Sequence, residues 1–300
     1  MREGLLVAST FARYPEIEHE LQEDLTVFED RDRLEPEGGL ALGDAKSRAE
    51  PSELNIPEPK KLTIVLPALN EEEGIRRVMP SLPIEKLRAK GLHPSVLVVD
   101  GHSTDNTCGL AASFGAQIVA QDGWGKGNAV RTVIRGLSGD YMIMMDADNT
   151  YPADILPEIV DLLEKGYDCI TGSRLRGQIH ENAMSKMNLL GNRLLTGIAN
   201  ILYGAPYISD VCTGFWAFRV DAVKRMNLTA DGFDIEADLY TEAVRLGLRY
   251  TEIPIVYRAR EGESKLRLRS GGMIALRLLR NRLRQLGVRV IGIARRRPTN

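Results

Sequence analysis

Three apolar runs, at 62–66, 95–99 and 141–145, each give way at once to a polar, acidic segment. No other feature of the chain constrains its fold as much. The runs are continuous rather than alternating, which marks strands covered on both faces. Helical spacing fills the stretches between them, at 71–88 (interrupted by Pro80 and Pro83), 105–114 and 127–137. Further strands are predicted at 116–120, 168–171 and 250–256, and further helices at 152–165 and up to about Leu246. Strand–helix alternation of this kind predicts an α/β fold, a mostly parallel central sheet with helices on both faces. In such sheets a ligand lies beyond the carboxyl ends of the strands. The residues that follow each strand are therefore the ones that carry chemistry.

Those residues are Pro67-Ala68-Leu69-Asn70-Glu71 after the first strand, Asp100-Gly101-His102-Ser103-Thr104-Asp105 after the second, and Asp146-Ala147-Asp148-Asn149-Thr150 after the fourth. Carboxylates gathered on one rim repel one another unless a cation or a ligand's donors compensate them. Asp146 and Asp148, one residue apart at a strand end, suit a hard divalent ion, Mg2+ or Mn2+, which shares its oxygens with substrate phosphates. The loop Gly123-Trp124-Gly125-Lys126-Gly127 does not fit a Walker A or a GxGxxG fingerprint, but it suits a lysine brought to a phosphate. The four histidines have no metal-ligand spacing, and there is no Gly-x-Ser-x-Gly elbow.

The charge is unevenly spread. Residues 1–58 hold 15 Asp/Glu and 6 Lys/Arg, while the whole 300-residue chain has a formal charge of −2. Residues 1–58 read as an acidic appendage and linker, 59–270 as the enzyme-like domain, and 271–300 as a basic amphipathic helix and tail. Between Arg258 and Arg297 there are 13 Lys/Arg against two Glu. There, Leu276, Leu279, Leu283, Leu286, Val290 and Ile293 form a stripe, with Arg277, Arg280, Arg282 and Arg284 off it. Two readings stand: a helix docked on the core, or one lying on an anionic bilayer. No apolar run reaches the 18 or so residues that cross a bilayer. The early Glu3 and the lack of an apolar h-region argue against a signal peptide. Cys108, Cys169 and Cys212 are widely spaced and read as reduced thiols of a cytoplasmic protein. The near-neutral total gives no sign of a nucleic-acid partner.

Assembled in order, these segments resemble the family 2 glycosyltransferases of GT-A fold, and among them the dolichyl- or polyprenyl-phosphate sugar synthases. The resemblance covers roughly residues 61–270. Pro67, Asn70 and Glu71 match its first nucleotide-contact segment, Asp100 its base- and ribose-contact segment, and Asp146 and Asp148 its metal motif. Gly172-Ser173-Arg174, Gly191-Asn192-Arg193, Ser209-Asp210 and Gly214-Phe215 match its acceptor half, and Arg260 through Lys265 its late basic loop. Two positions depart from the pattern: Gly101 stands where a second Asp is common, and Thr150 where some lipid-phosphate enzymes carry an amide.

The resemblance implies an inverting transfer of a sugar from a nucleotide-diphosphate sugar, UDP favoured over GDP, to dolichyl or polyprenyl phosphate. It implies Mg2+ or Mn2+ on Asp146 and Asp148, and nucleotide-sugar contacts from Pro67, Asn70, Glu71, Asp100 and Lys126. Acceptor-phosphate contacts are expected from Arg174, Arg193, Arg260 and Lys265. Asp210 is expected either to orient an arginine or to act as a base, and Asp234 and Glu236 to approach the site. A phosphate acceptor is mostly ionised at neutral pH and needs cations to hold it rather than a base. With the basic C-terminal helix, the expected location is cytoplasmic, on the inner face of the membrane. The alternatives are a soluble transferase with a small phosphorylated acceptor such as a glycerate phosphate, and a silent nucleotide-sugar-binding module.

Overall fold

The computed structural model describes residues 58–204, 207–260 and 268–287. Apart from Glu58, the acidic appendage lies outside them, as do Lys265, Val290 and Ile293. The first half runs β1 (Lys60–Ala68), α1 (Glu72–Ser81), α2 (Ile84–Ala89), β2 (Leu92–Asp100), α3 (Thr107–Ser113), β3 (Gln117–Ala120), α4 (Lys126–Gly136) and β4 (Tyr141–Met144). The second half runs α5 (Leu156–Glu164), β5 (Cys169–Ile179), α6 (Lys186–Tyr203), β6 (Trp216–Arg219), α7 (Val220–Lys224), α8 (Ile235–Leu246), β7 (Tyr250–Tyr257) and α9 (Leu268–Gln285).

The strands form a seven-stranded sheet in the order β3-β2-β1-β4-β6-β5-β7. All neighbouring pairs are parallel except those of β6, which runs antiparallel to both β4 and β5. β1 explains the continuous apolar runs. Val65 packs into the core on one face, and Leu62, Ile64 and Leu66 into the core on the other. A strand with both faces dry has no polar positions to alternate.

Helix α9 is docked on the core through one face. Ile274, Arg277, Leu278 and Asn281 form its buried side, while Leu276, Leu279 and Leu286 face outward. The docked face is thus not the leucine stripe. Its partners are α6 and α8: the Tyr203 hydroxyl donates to the Leu278 carbonyl at 2.8 Å, and Asn281 donates to Asp238 at 2.7 Å.

Candidate active site

The loops after β1, β2 and β4 meet at one edge of the sheet. Each contains a non-glycine residue in the left-handed region: Asn70 (φ 49°), His102 (φ 69°) and Asn149 (φ 64°). Such backbone carries strain and is held only where its surroundings over-determine it. Here the bracing is visible. Asn70 donates its backbone N–H to Ser103 Oγ at 2.9 Å, and its side-chain oxygen accepts from the Thr104 N–H at 2.7 Å. The Glu71 N–H donates to Thr107 Oγ1 at 2.9 Å. The Asp100 carboxylate closes its own turn, accepting from the N–H groups of His102 at 3.2 Å and Ser103 at 3.1 Å.

A cavity of about 540 Å3 opens between these loops, within the usual range for a small-molecule site. Pro67, Glu71, Lys126, Asp146, Asp148 and Arg260 line it together. Asn70 and Asp100, expected to touch nucleotide, brace the loops beside the lining residues Leu69, Glu71 and Gly101.

Two cations lie across the acidic rim. Lys126 Nζ is 2.5 Å from Asp146 Oδ1 and 2.7 Å from Glu236 Oε1. The Arg260 guanidinium pairs with Glu71 and sits 3.1 Å from Asp148 Oδ2. Burial acting alone would lower the Lys126 ammonium; the charges of Asp146 and Glu236 outweigh it and raise it. Burial, with the Asp146 charge behind it, pushes the Asp148 carboxyl up, against hydrogen bonds from Thr150 and the Arg260 charge. Burial also raises Glu236, which the Lys126 charge opposes. The Arg260 Nε–H is buried with no acceptor among the described residues.

The acceptor-side residues are placed differently. Arg174 is 7% exposed and Asp210 fully buried. Asp210 accepts from Arg174 Nε at 2.7 Å, from NH2 at 2.8 Å and from the backbone N–H at 3.1 Å. Of the two roles expected for Asp210, this geometry is that of holding an arginine; no open face is left for a base. Arg193 is exposed on α6. Asp234 pairs with Arg277, whereas Glu236, on the same turn, reaches the cavity-lining Lys126.

Residues 63–226 match the profile of Glycosyl transferase family 2. The chain belongs to this family. The glycosyltransferase AglJ of Haloferax volcanii is 36% identical over 229 residues, covering 75% of this chain and 73% of the relative. A dolichyl-phosphate hexose transferase of the same organism is 31% identical over 211 residues, covering 70% and 89%. Among solved structures, glucosyl-3-phosphoglycerate synthase of Mycobacterium tuberculosis, in complex with Mn2+, UDP and glucosyl-3-phosphoglycerate, superposes with a TM-score of 0.59 at 23% identity, covering 77% of this chain and 81% of that one. At that identity the likeness speaks for the fold, the GT-A arrangement implied by the resemblance.

For a family 2 glycosyltransferase the donor set fits a divalent ion completed by substrate. Among the described residues no three His, Cys, Asp or Glu side chains converge as a ready-made metal cage. Asp146 and Asp148 offer hard oxygens, and such an ion fills its remaining positions with water and phosphate. Among the described residues, the carboxylates of Glu71, Asp146, Asp148 and Glu236 share the two cations Lys126 and Arg260. Further residues serve the site beyond the roles expected from the sequence. A Cβ at Gly214 would collide with the Asp146 carboxylate, so only glycine lets that side chain lie where it does. Gln121, Trp124 and Phe233 line the cavity. Gln121 directly follows β3, so extending the strand-end rule to the third strand would have found it.

Proposed function

We propose that this glycosyltransferase moves a sugar from a nucleotide-diphosphate sugar, UDP favoured, onto a dolichyl or polyprenyl phosphate at a membrane surface, with inversion. The observation that carries the lipid acceptor is the outward face of α6 and α9. Met187, Leu190, Leu194 and Ile201 form an exposed row on α6, and Met273, Leu276, Leu279 and Leu286 another on α9. The two helices lie against one another. Exposed apolar surface of this kind on a soluble domain marks an interaction site. Exposed Lys186, Arg193, Arg280 and Arg284 lie on the same two helices, as an anionic leaflet requires. No helix among the described residues is long and apolar enough to cross a membrane, so the proposed association is peripheral, on the cytoplasmic face. The dolichyl-phosphate hexose transferase relative supports the same acceptor.

The chemistry assigned to the chain's own residues is positioning and charge compensation. Asp146 and Asp148 would hold Mg2+ or Mn2+, which neutralises charge on the departing diphosphate; the Mn2+ and UDP of the mycobacterial neighbour support that assignment. Lys126 and Arg260 are held in the cleft by carboxylates and are available to phosphate oxygens once a ligand competes. The acceptor phosphate is ionised at neutral pH, so no base is assigned. Arg193, exposed on α6, and Lys265, outside the described residues, are kept as its proposed contacts. Arg174, held by the buried Asp210, is assigned a supporting role.

A second reading, transfer to a small phosphorylated acceptor, is favoured by the fold of glucosyl-3-phosphoglycerate synthase. Incubation with radiolabelled UDP- and GDP-sugars and Mn2+, with polyprenyl phosphate or 3-phosphoglycerate as acceptor, separates the two. Label extracted into organic solvent is the expected result. Label that stays water-soluble with both acceptors present overturns the lipid reading.

A further inference from the structure

Helix α9 turns a buried polar face to the protein, and that face is bonded to the segment behind the donor cavity. Arg277 is 7% exposed. Its Nε lies 2.8 Å and its NH2 2.7 Å from Asp234 Oδ2, and NH1 donates to Thr229 Oγ1 at 2.6 Å. One turn along, Asn281 donates to Asp238 Oδ1 and to Thr241 Oγ1, each at 2.7 Å. The other Asp238 oxygen accepts from the N–H groups of Thr229 at 2.6 Å and Ala230 at 2.8 Å. Residues 229–238 are thus clamped from the α9 side.

The opposite side of the same segment touches the cavity loop. The Asp231 carbonyl accepts from the Asn128 N–H at 3.3 Å, and the Asp231 carboxylate pairs with Arg131 at 2.8 Å. Cβ atoms at Gly125 and Gly127 would collide with the carbonyls of Asp231 and Ala230, so the loop rests directly on this backbone. Glu236, at the start of α8, holds Lys126 at 2.7 Å.

We propose that Arg277 is a positioning residue for the donor site: from α9 it fixes residues 229–236, and through them the loop at 123–127 and the Lys126 ammonium. The inference deepens the reading of that loop as the diphosphate side of a nucleotide-sugar site. A buried guanidinium shared between a carboxylate and a hydroxyl is directional in a way an apolar contact is not, since its planar fork fixes both partners at once. It also gives α9 two faces with two tasks, the outer one apolar and the inner one aligned with the cavity.

The test reads the loop itself. In Arg277→Gln, amide hydrogen exchange across 123–131 should quicken about tenfold or more while β4 keeps its protection. The control is Tyr203→Phe, which removes the α6–α9 hydrogen bond at 2.8 Å and leaves the Asp234 clamp intact. It should lower the melting temperature without changing exchange at 123–131. If Arg277→Gln does not fold, Thr229→Val, which removes one acceptor and keeps the ion pair, should quicken the same amides about threefold. Wild-type exchange at 123–131 in a folded Arg277 variant, or in Thr229→Val, overturns the proposal. Equal quickening in Tyr203→Phe also overturns it, because the loop would then be reporting general loosening of α9. Binding of UDP with Mn2+, measured in parallel, should weaken about tenfold in Arg277→Gln and not in Tyr203→Phe. Changed exchange in a protein that binds neither UDP nor GDP would leave the positioning role standing and remove the donor reading.

Discussion

The molecule contains two arginine–carboxylate assemblies that look alike on paper and are built for opposite ends. Arg260 meets Glu71 and Asp148 on the wall of an open cavity and keeps a buried Nε–H without an acceptor among the described residues. Arg174 meets Asp210 in the interior, with Asp210 taking three donors and the guanidinium carbon 5.2 Å from the centre of the Tyr257 ring. In the first, water or a ligand can take over from either partner. In the second Asp210 is fully buried and its carboxylate is filled by three donors of Arg174, which leaves little for water to replace. Ion pairing alone does not mark a functional residue; exchangeable pairing beside a cavity does.

The strongest way to break this comparison is Asp148→Ala. On the proposed function it should reduce turnover by about a thousandfold or more, the scale of removing a principal charge-stabilising group. Folding should survive, as followed by circular dichroism. Turnover within tenfold of wild type would show that the cleft assembly is not the reacting one.

Next in size is Asp210→Ala. Removing one partner of a buried pair strands the other charge, which costs about 3–5 kcal/mol of stability. Urea unfolding should show that loss. A loss below about 1 kcal/mol would mean that Arg174 escapes to solvent and that the two assemblies are not opposites.

Arg260→Gln should do less. It removes one of two cleft cations, so nucleotide affinity should fall about ten- to a hundredfold. Mn2+ binding without nucleotide should strengthen at the same time, because the side chain competing for Asp148 is gone. Calorimetry with Mn2+ alone and with Mn2+ and UDP checks both signs. Weaker Mn2+ binding would contradict the picture of a cation standing across the rim.

The sequence made one of these regions far more legible than the other. The ends of β1, β2 and β4 could be read because doubly buried strands leave long apolar runs, and the acidic loops begin where the runs stop. β6 could not: Trp216–Arg219 is four residues long and slots antiparallel between β4 and β5, which no local pattern announces. Helix α6 was hidden because it is apolar on two sides, Leu195 and Ala199 inward and Leu190 and Leu194 outward, which blurs its periodicity. The buried face of α9 was misleading for the reverse reason. It is built on Arg277 and Asn281, whose acceptors come from a distant stretch of chain. Lys126 was placed near phosphate by its glycine-flanked loop, but its carboxylate partners became evident only in three dimensions.

The smallest expected effect is also the most discriminating about sign. Burial, aided by the Asp146 charge, raises the Asp148 carboxyl above its ordinary range. The folded protein therefore holds that proton more tightly than the unfolded chain, whose carboxyl titrates near 3.9. By linkage, the stability tied to this group is fully present below the unfolded value and is lost as pH rises through the raised folded one. At neutral pH without metal, the ionised Asp148 is a net cost to the fold. Asp148→Asn, close to Asp148 in shape but uncharged, should melt a few degrees higher than wild type in EDTA at pH 7. The gain should shrink as pH is lowered and vanish well below 4, where the wild-type group is protonated in both states. Adding Mn2+ should reverse the order, since only the wild type keeps both carboxylates and gains the stability that a bound ligand confers. Asp210→Asn should show neither the gain nor the reversal and melt below wild type throughout, because its charge is matched by Arg174 in the core. If Asp148→Asn instead melts lower in EDTA at pH 7, the Arg260 contact is stabilising the cleft as Arg174 stabilises the interior, and the distinction between an exchangeable pair and a sealed one fails at this residue.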